Sequence, residues 1–109
     1  MTLKVLDGLR YEIFADKYRY PGEKNWGDRA RAVAKVAASA ESDDNKQKWE
    51  KKFYDAIGSQ DLVPGGRILY GAGRKNGRQN MLNCYFIEPQ DTVESIAKTL
   101  ADTYRIGCS

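Results

Sequence analysis

The sequence predicts an α-rich α/β fragment. Three observations carry that reading: four stretches with apolar residues at helical spacing, a near-continuous apolar run at residues 81–87, and a glycine-rich segment leading into that run. Short apolar runs of this kind suit strands buried on both faces, and a strand followed by an amphipathic helix opens an α/β unit. One such unit cannot make a sheet. The remaining strands must come from missing sequence or from another chain, or no sheet forms.

The first helical stretch covers residues 9–18, with Leu9, Ile13 and Phe14 as its inward candidates, and Pro21-Gly22 breaks the chain after it. The second begins near Trp26 with Asn25 as its N-cap. Trp26, Ala30, Val33 and Ala37 fall on one face, while Arg29, Arg31 and Lys35 are expected elsewhere around the cylinder. The acidic turn Glu41-Ser42-Asp43-Asp44 closes this helix and opens a third, where the helix dipole favours its carboxylates. Trp49, Phe53 and Ile57 repeat along the third helix, and Gly58 is the expected left-handed terminator. These two helices form a predicted hairpin with face-to-face aromatics.

Between Leu62 and Gly73 the chain is apolar yet holds four glycines and a proline. Gly65-Gly66 is read as a turn that brings backbone N–H groups close to a ligand. Pro89 ends the predicted strand at 81–87. The last helix carries a capping signal at Asp91 with Glu94 three residues on, and a stripe of Val93, Ile96, Ala97, Leu100, Ala101 and Tyr104 ending at Gly107.

Composition narrows the function classes. The 109 residues suit at most one small domain, 41% hydrophobic content suits a globular chain, and a net charge of +3 is weak evidence for nucleic-acid binding. The basic cluster Arg74-Lys75-Asn76-Gly77-Arg78 reads as a solvated loop before it reads as an anion site. The lysines around Trp49 and Phe53 read as the wet face of a helix. No apolar run approaches a membrane span and no signal-peptide pattern opens the chain, so a cytoplasmic protein without a membrane partner is expected. With no histidine and only Cys84 and Cys108, a protein-only zinc site and a histidine-based hydrolase triad are both disfavoured.

Cys84 is the leading chemical candidate: beside a glycine turn it could be a nucleophile, a redox partner or inert filler. A Cys84–Cys108 disulfide stays open. Asn83 offers both a donor and an acceptor, to a sugar hydroxyl or to its own turn. Arg67 offers a charge to phosphate or to a surface ion pair. Neither glycine cluster has the spacing of a Walker loop or a dinucleotide fingerprint.

Taken in order, Pro64-Gly65-Gly66-Arg67-Ile68-Leu69, Gly71-Ala72-Gly73, Asn83-Cys84-Tyr85 and Asp91-Thr92…Ser95-Ile96 resemble the N-terminal region of ribonucleotide reductases, most closely the adenosylcobalamin-dependent (class II) type. Ile13-Phe14…Lys17-Tyr18, Trp26…Arg29-Ala30 and Trp49…Phe53-Tyr54 extend the resemblance over almost the whole chain. It implies a helical N-terminal region at residues 1–61. Residues 62–109 would then supply the glycine-rich turn, first strand and first helix of a ten-stranded α/β barrel. It implies radical reduction of ribonucleotides to 2′-deoxyribonucleotides, with Cys84 as one of two reducing thiols and Gly66, Asn83 and Cys84 contacting substrate. Gly66 falls near a substrate-contacting serine or threonine of many members, and here only backbone is on offer. Cys108 matches no catalytic cysteine.

The same resemblance places the partner cysteine, the radical cysteine, a catalytic glutamate, the effector loops and the adenosylcobalamin site beyond Ser109. The expected partners are the remaining reductase polypeptide, a ribonucleotide substrate and a thioredoxin-like or thiol reductant, with no direct nucleic-acid contact. The chain would then be inactive alone. The contrasting expectation is a small stand-alone helical module that binds protein or nucleic acid; a third is a decayed fragment with no activity. Residues 81–87 discriminate: a module must cover them with its own helices, whereas a fragment leaves them bare.

Overall fold

The computed structural model describes residues 2–75 and 79–108 and contains five helices among them: α1 (Gly8–Lys17), α2 (Trp26–Ala38), α3 (Asp43–Gly58), α4 (Gly66–Gly71) and α5 (Val93–Gly107). Asn76, Gly77 and Arg78 of the basic loop and the terminal Ser109 lie outside the described residues.

The α2–α3 hairpin forms as expected. Asn25 caps α2 through its side chain, accepting from the Asp28 N–H at 3.0 Å. Asp43 and Asp44 occupy the first turn of α3, where the unpaired amide groups favour negative charge. The aromatics are arranged differently from the expectation. Trp26 does not meet Trp49; it meets Phe14 of α1 edge to face at 6.1 Å, and its indole N–H donates to the Ile57 carbonyl at 2.9 Å. Trp49 stacks on Phe53 of its own helix at 5.6 Å.

The core gathers Phe14, Trp26, Ala30, Val33, Ile57, Leu69 and Ala72, with Leu6, Tyr18, Phe53, Tyr54 and Met81 packed around it. In α1 only Phe14 is buried, while Leu9 and Ile13 are exposed. In α2 the inward alanines are Ala30, Ala34 and Ala38, and Ala37 faces out, because the buried face drifts around the helix over three turns. Gly58 closes α3 without taking a left-handed conformation; Gln60 takes it instead, at φ 64°.

The glycine segment is a short helix, not a loop. Gly65 precedes α4 and Gly66 opens it, and neither has a positive φ. Gly73, which follows, does, at φ 77°.

The expected strand at residues 81–87 does not form, and the described residues contain no strand at all. A strand exists only by pairing with a neighbour, and this region offers none. The barrel opening of the α/β expectation is therefore absent from this chain by itself, and the architecture is helical. No described helix is long and apolar enough to cross a membrane.

Candidate functional site

A polar side chain abuts each of Gly65 and Gly66, tightly at Gly65 and at ordinary contact distance at Gly66. A Cβ on Gly65 would lie 3.0 Å from Asn83 Nδ2, tighter than ordinary contact, so the missing side chain lets the Asn83 amide close on the turn. A Cβ on Gly66 would lie 3.4 Å from the Tyr18 hydroxyl. The structure thus sets Asn83 against Gly65 and Tyr18, which the sequence did not single out as a site residue, against Gly66. Gly71 plays a similar part further along, since a Cβ there would come within 2.9 Å of Gln79.

Cys84 follows Asn83 on a segment organised by one side chain. Asn80 Oδ1 accepts from the Leu82 N–H at 3.0 Å and from the Tyr85 hydroxyl at 2.8 Å, which brackets the cysteine between two fixed points. Its thiol is free and exposed. An accessible thiol can exchange with an external disulfide or meet a second thiol, whereas a buried filler cannot. Cys108 is also free and exposed, at the C-terminal end of α5, so the two are not joined. Arg67, the other phosphate candidate, is exposed on the first turn of α4.

Sequence reasoning missed the group that fixes this region. Arg29, expected on the outer surface of α2, is 1% exposed. It donates to the Ala72 carbonyl, and its Nε lies 3.4 Å from the Glu23 carboxylate. Glu23 in turn accepts from the Tyr20 N–H at 2.6 Å. Burial pushes the Arg29 guanidinium below its ordinary pKa; Glu23 opposes that shift and the neighbouring Arg74 adds to it.

Arg74 completes the clamp. It donates to the Tyr70 carbonyl and, at 3.2 Å, to the Tyr18 carbonyl, and its guanidinium lies over the rings of Tyr70 and Tyr20 at 3.9 and 5.0 Å. The two arginines tie the end of α1 to the end of α4, and so set Tyr18 against Gly66. A signal for Arg29 was present: it falls three residues after Trp26 and four before Val33, on the inward face.

Beside the turn lies an open cavity of about 350 Å³, lined by Phe14 and Leu69 with Arg10, Tyr18, Gln60 and Gly66. No group of three or more acidic or cysteine side chains among the described residues could hold a metal ion.

The last helix is capped one residue later than expected. Thr92 accepts from the Ser95 N–H at 3.1 Å, and the Ser95 hydroxyl accepts from the Gln90 N–H at 2.7 Å, so Asp91 and Glu94 do not form the predicted box. The predicted apolar stripe exists but faces solvent: Val93, Ile96, Leu100 and Tyr104 are all exposed and α5 buries nothing. Phe86, beside Cys84, is 86% exposed.

Comparison with known families gives one finding. The model of the ribonucleotide reductase all-alpha domain matches residues 6–77, about two thirds of the chain. The matched span holds the core, the arginine clamp and Gly66; it stops short of Asn83 and Cys84. No curated protein and no solved structure matched the chain.

Proposed function

We propose, because this chain belongs to the ribonucleotide reductase family through its all-alpha domain, that it is an N-terminal piece of a reductase catalytic subunit and carries one of the thiols that reduce the substrate. The observation that carries the reading is the bare apolar surface after the matched domain. The stripe on α5, Phe86 and Cys84 are all exposed. A stand-alone helical module would cover such surface itself; a piece of a barrel would leave it for the remaining polypeptide.

The chemistry assigned to Cys84 balances only with a second thiol. Two thiols become one disulfide, the ribose C2′–OH bond is replaced by C2′–H, and water leaves. The second thiol belongs to the completing polypeptide, and a thioredoxin-like protein or small dithiol resets the pair by thiol–disulfide exchange. Asn83 and the Gly66 backbone would hold the ribonucleotide beside Cys84. A reducing compartment such as the cytoplasm suits a thiol that must be free between turnovers.

The class II subtype would place adenosylcobalamin in the complete enzyme, where it supplies the radical. The residues here do not fit it: the cavity beside the turn, about 350 Å³, is far too small for a corrin and its side arms. Its place would be on the completing polypeptide, and no step is assigned to it in this chain.

The test is turnover after mixing this chain with the completing polypeptide. Cys84→Ser should abolish reduction of the ribonucleotide by a dithiol or thioredoxin-like reductant, while Cys108→Ser should leave it intact. Undiminished turnover by Cys84→Ser would remove Cys84 from the chemistry.

A further inference from the structure

We infer that the Tyr18 hydroxyl is a further ribonucleotide-contacting group, reaching the substrate across Gly66 from the cavity beside the turn. The inference rests on the function proposed above and extends its binding site into the all-alpha domain.

Tyr18 is held as a binding residue must be. Its ring packs on the core, its N–H donates to the Phe14 carbonyl at 3.0 Å, and its carbonyl accepts from Arg74 at 3.2 Å. Only the hydroxyl end is left to act. That hydroxyl lies 3.4 Å from the point where a Gly66 side chain would begin, so a Cβ there would make ordinary contact with it and a branched side chain would cover it. Neither the Tyr18 hydroxyl nor the Asn83 amide makes a hydrogen bond to another described residue.

The cavity at the same place has a ligand site's composition. Phe14, Trp26 and Leu69 give it apolar lining, and Arg10, Tyr18 and Gln60 give one charge and two neutral polar groups. A volume of about 350 Å³ falls at the lower end of small-molecule sites, which are mostly apolar with a few polar groups that fix orientation. Neither Asn83 nor Cys84 lines it; to a ribonucleotide whose ribose lies at those residues, the cavity offers Arg10 and the Tyr18 phenol for the phosphate oxygens.

The test is a heteronuclear NMR titration of the full 109-residue chain with cytidine diphosphate. Binding should shift the Tyr18, Gly66 and Asn83 amides. Tyr18→Phe keeps the ring in the core and should raise the Kd about tenfold, the loss expected for one hydrogen bond to a charged acceptor. Adding Gly66→Ser to that variant supplies a hydroxyl from the other side and should recover part of the affinity. Should Tyr18→Phe disturb the fold, Gly66→Val must weaken binding in its place, by covering the hydroxyl of an intact Tyr18. An unchanged Kd in the folded Tyr18→Phe variant overturns the inference. So does an absence of binding, or equal binding of inorganic pyrophosphate. A silent Tyr18→Phe beside an inactive Cys84→Ser removes only Tyr18, whereas an active Cys84→Ser removes the reading beneath it.

Discussion

Residues 2–75 and residues 79–108 contain helices of similar sequence quality and very different fates. In the first, α2 and α3 bury their apolar faces against each other and against α1 and α4. In the second, α5 is well capped and strongly amphipathic, yet none of its residues is buried. The molecule is correspondingly extended: its radius of gyration is 17.8 Å, where a compact chain of this length would have about 13 Å. The difference teaches that an apolar stripe specifies a demand for a partner and not the partner's identity. The family match covers the region whose demand is met internally and leaves out the region whose demand is open.

The contrast can be broken by substitution. The largest effect is expected at the arginine clamp. Arg29→Ala leaves a mostly buried Glu23 without its counter-charge and the Ala72 carbonyl without a donor, and should cost the helical body about 3–5 kcal/mol. Denaturant titration followed by tryptophan fluorescence reads it, and an unshifted midpoint would mean that the clamp is unimportant. Next come two matched leucines. Leu69→Ala, in the core, should cost about 2–5 kcal/mol, while Leu100→Ala, on the bare face of α5, should change stability by less than about 0.5 kcal/mol in the chain alone. Equal losses at both positions would erase the distinction between the regions.

Smaller still is a pH effect confined to α5. Lys98 donates to Asp102 at 2.6 Å, and this hydrogen bond holds the carboxyl below its ordinary pKa against a weaker opposing effect of desolvation. A depressed carboxylate pKa stabilises the folded helix above the unfolded value of about 3.9, and the benefit fades as pH falls through the lower folded value. The α5 helix signal in circular dichroism should therefore decline on acidification more in the parent than in Asp102→Asn. Parallel curves for the two would show that the pair contributes nothing.

Much of the helical body was legible in the sequence because local chemistry decided it. Asn25 caps α2 for the reason its side chain suggests, and the acidic turn at Asp43-Asp44 opens α3. Arg29 departs from the expectation that charge seeks solvent, although its spacing from Trp26 and Val33 places it inward. Residues 81–87 depart from expectation for a different reason. Apolar, β-prone composition reports what a segment can do when paired, and pairing is supplied by residues far away or on another chain. At the site, Gly66 and Asn83 were legible as neighbours of a turn, but Tyr18 was not. Its approach to Gly66 depends on the arginine clamp that joins α1 to α4, a tertiary effect with no local spacing.

A helix that buries nothing has a stability of its own kind. Melting of the body is set by contacts within one chain, so its midpoint does not depend on concentration. If α5 gains its burial from a second polypeptide, its midpoint must rise with that polypeptide's concentration by mass action. One chain would then show two transitions, one stationary and one that moves, and the spacing between them would report the affinity of the complex.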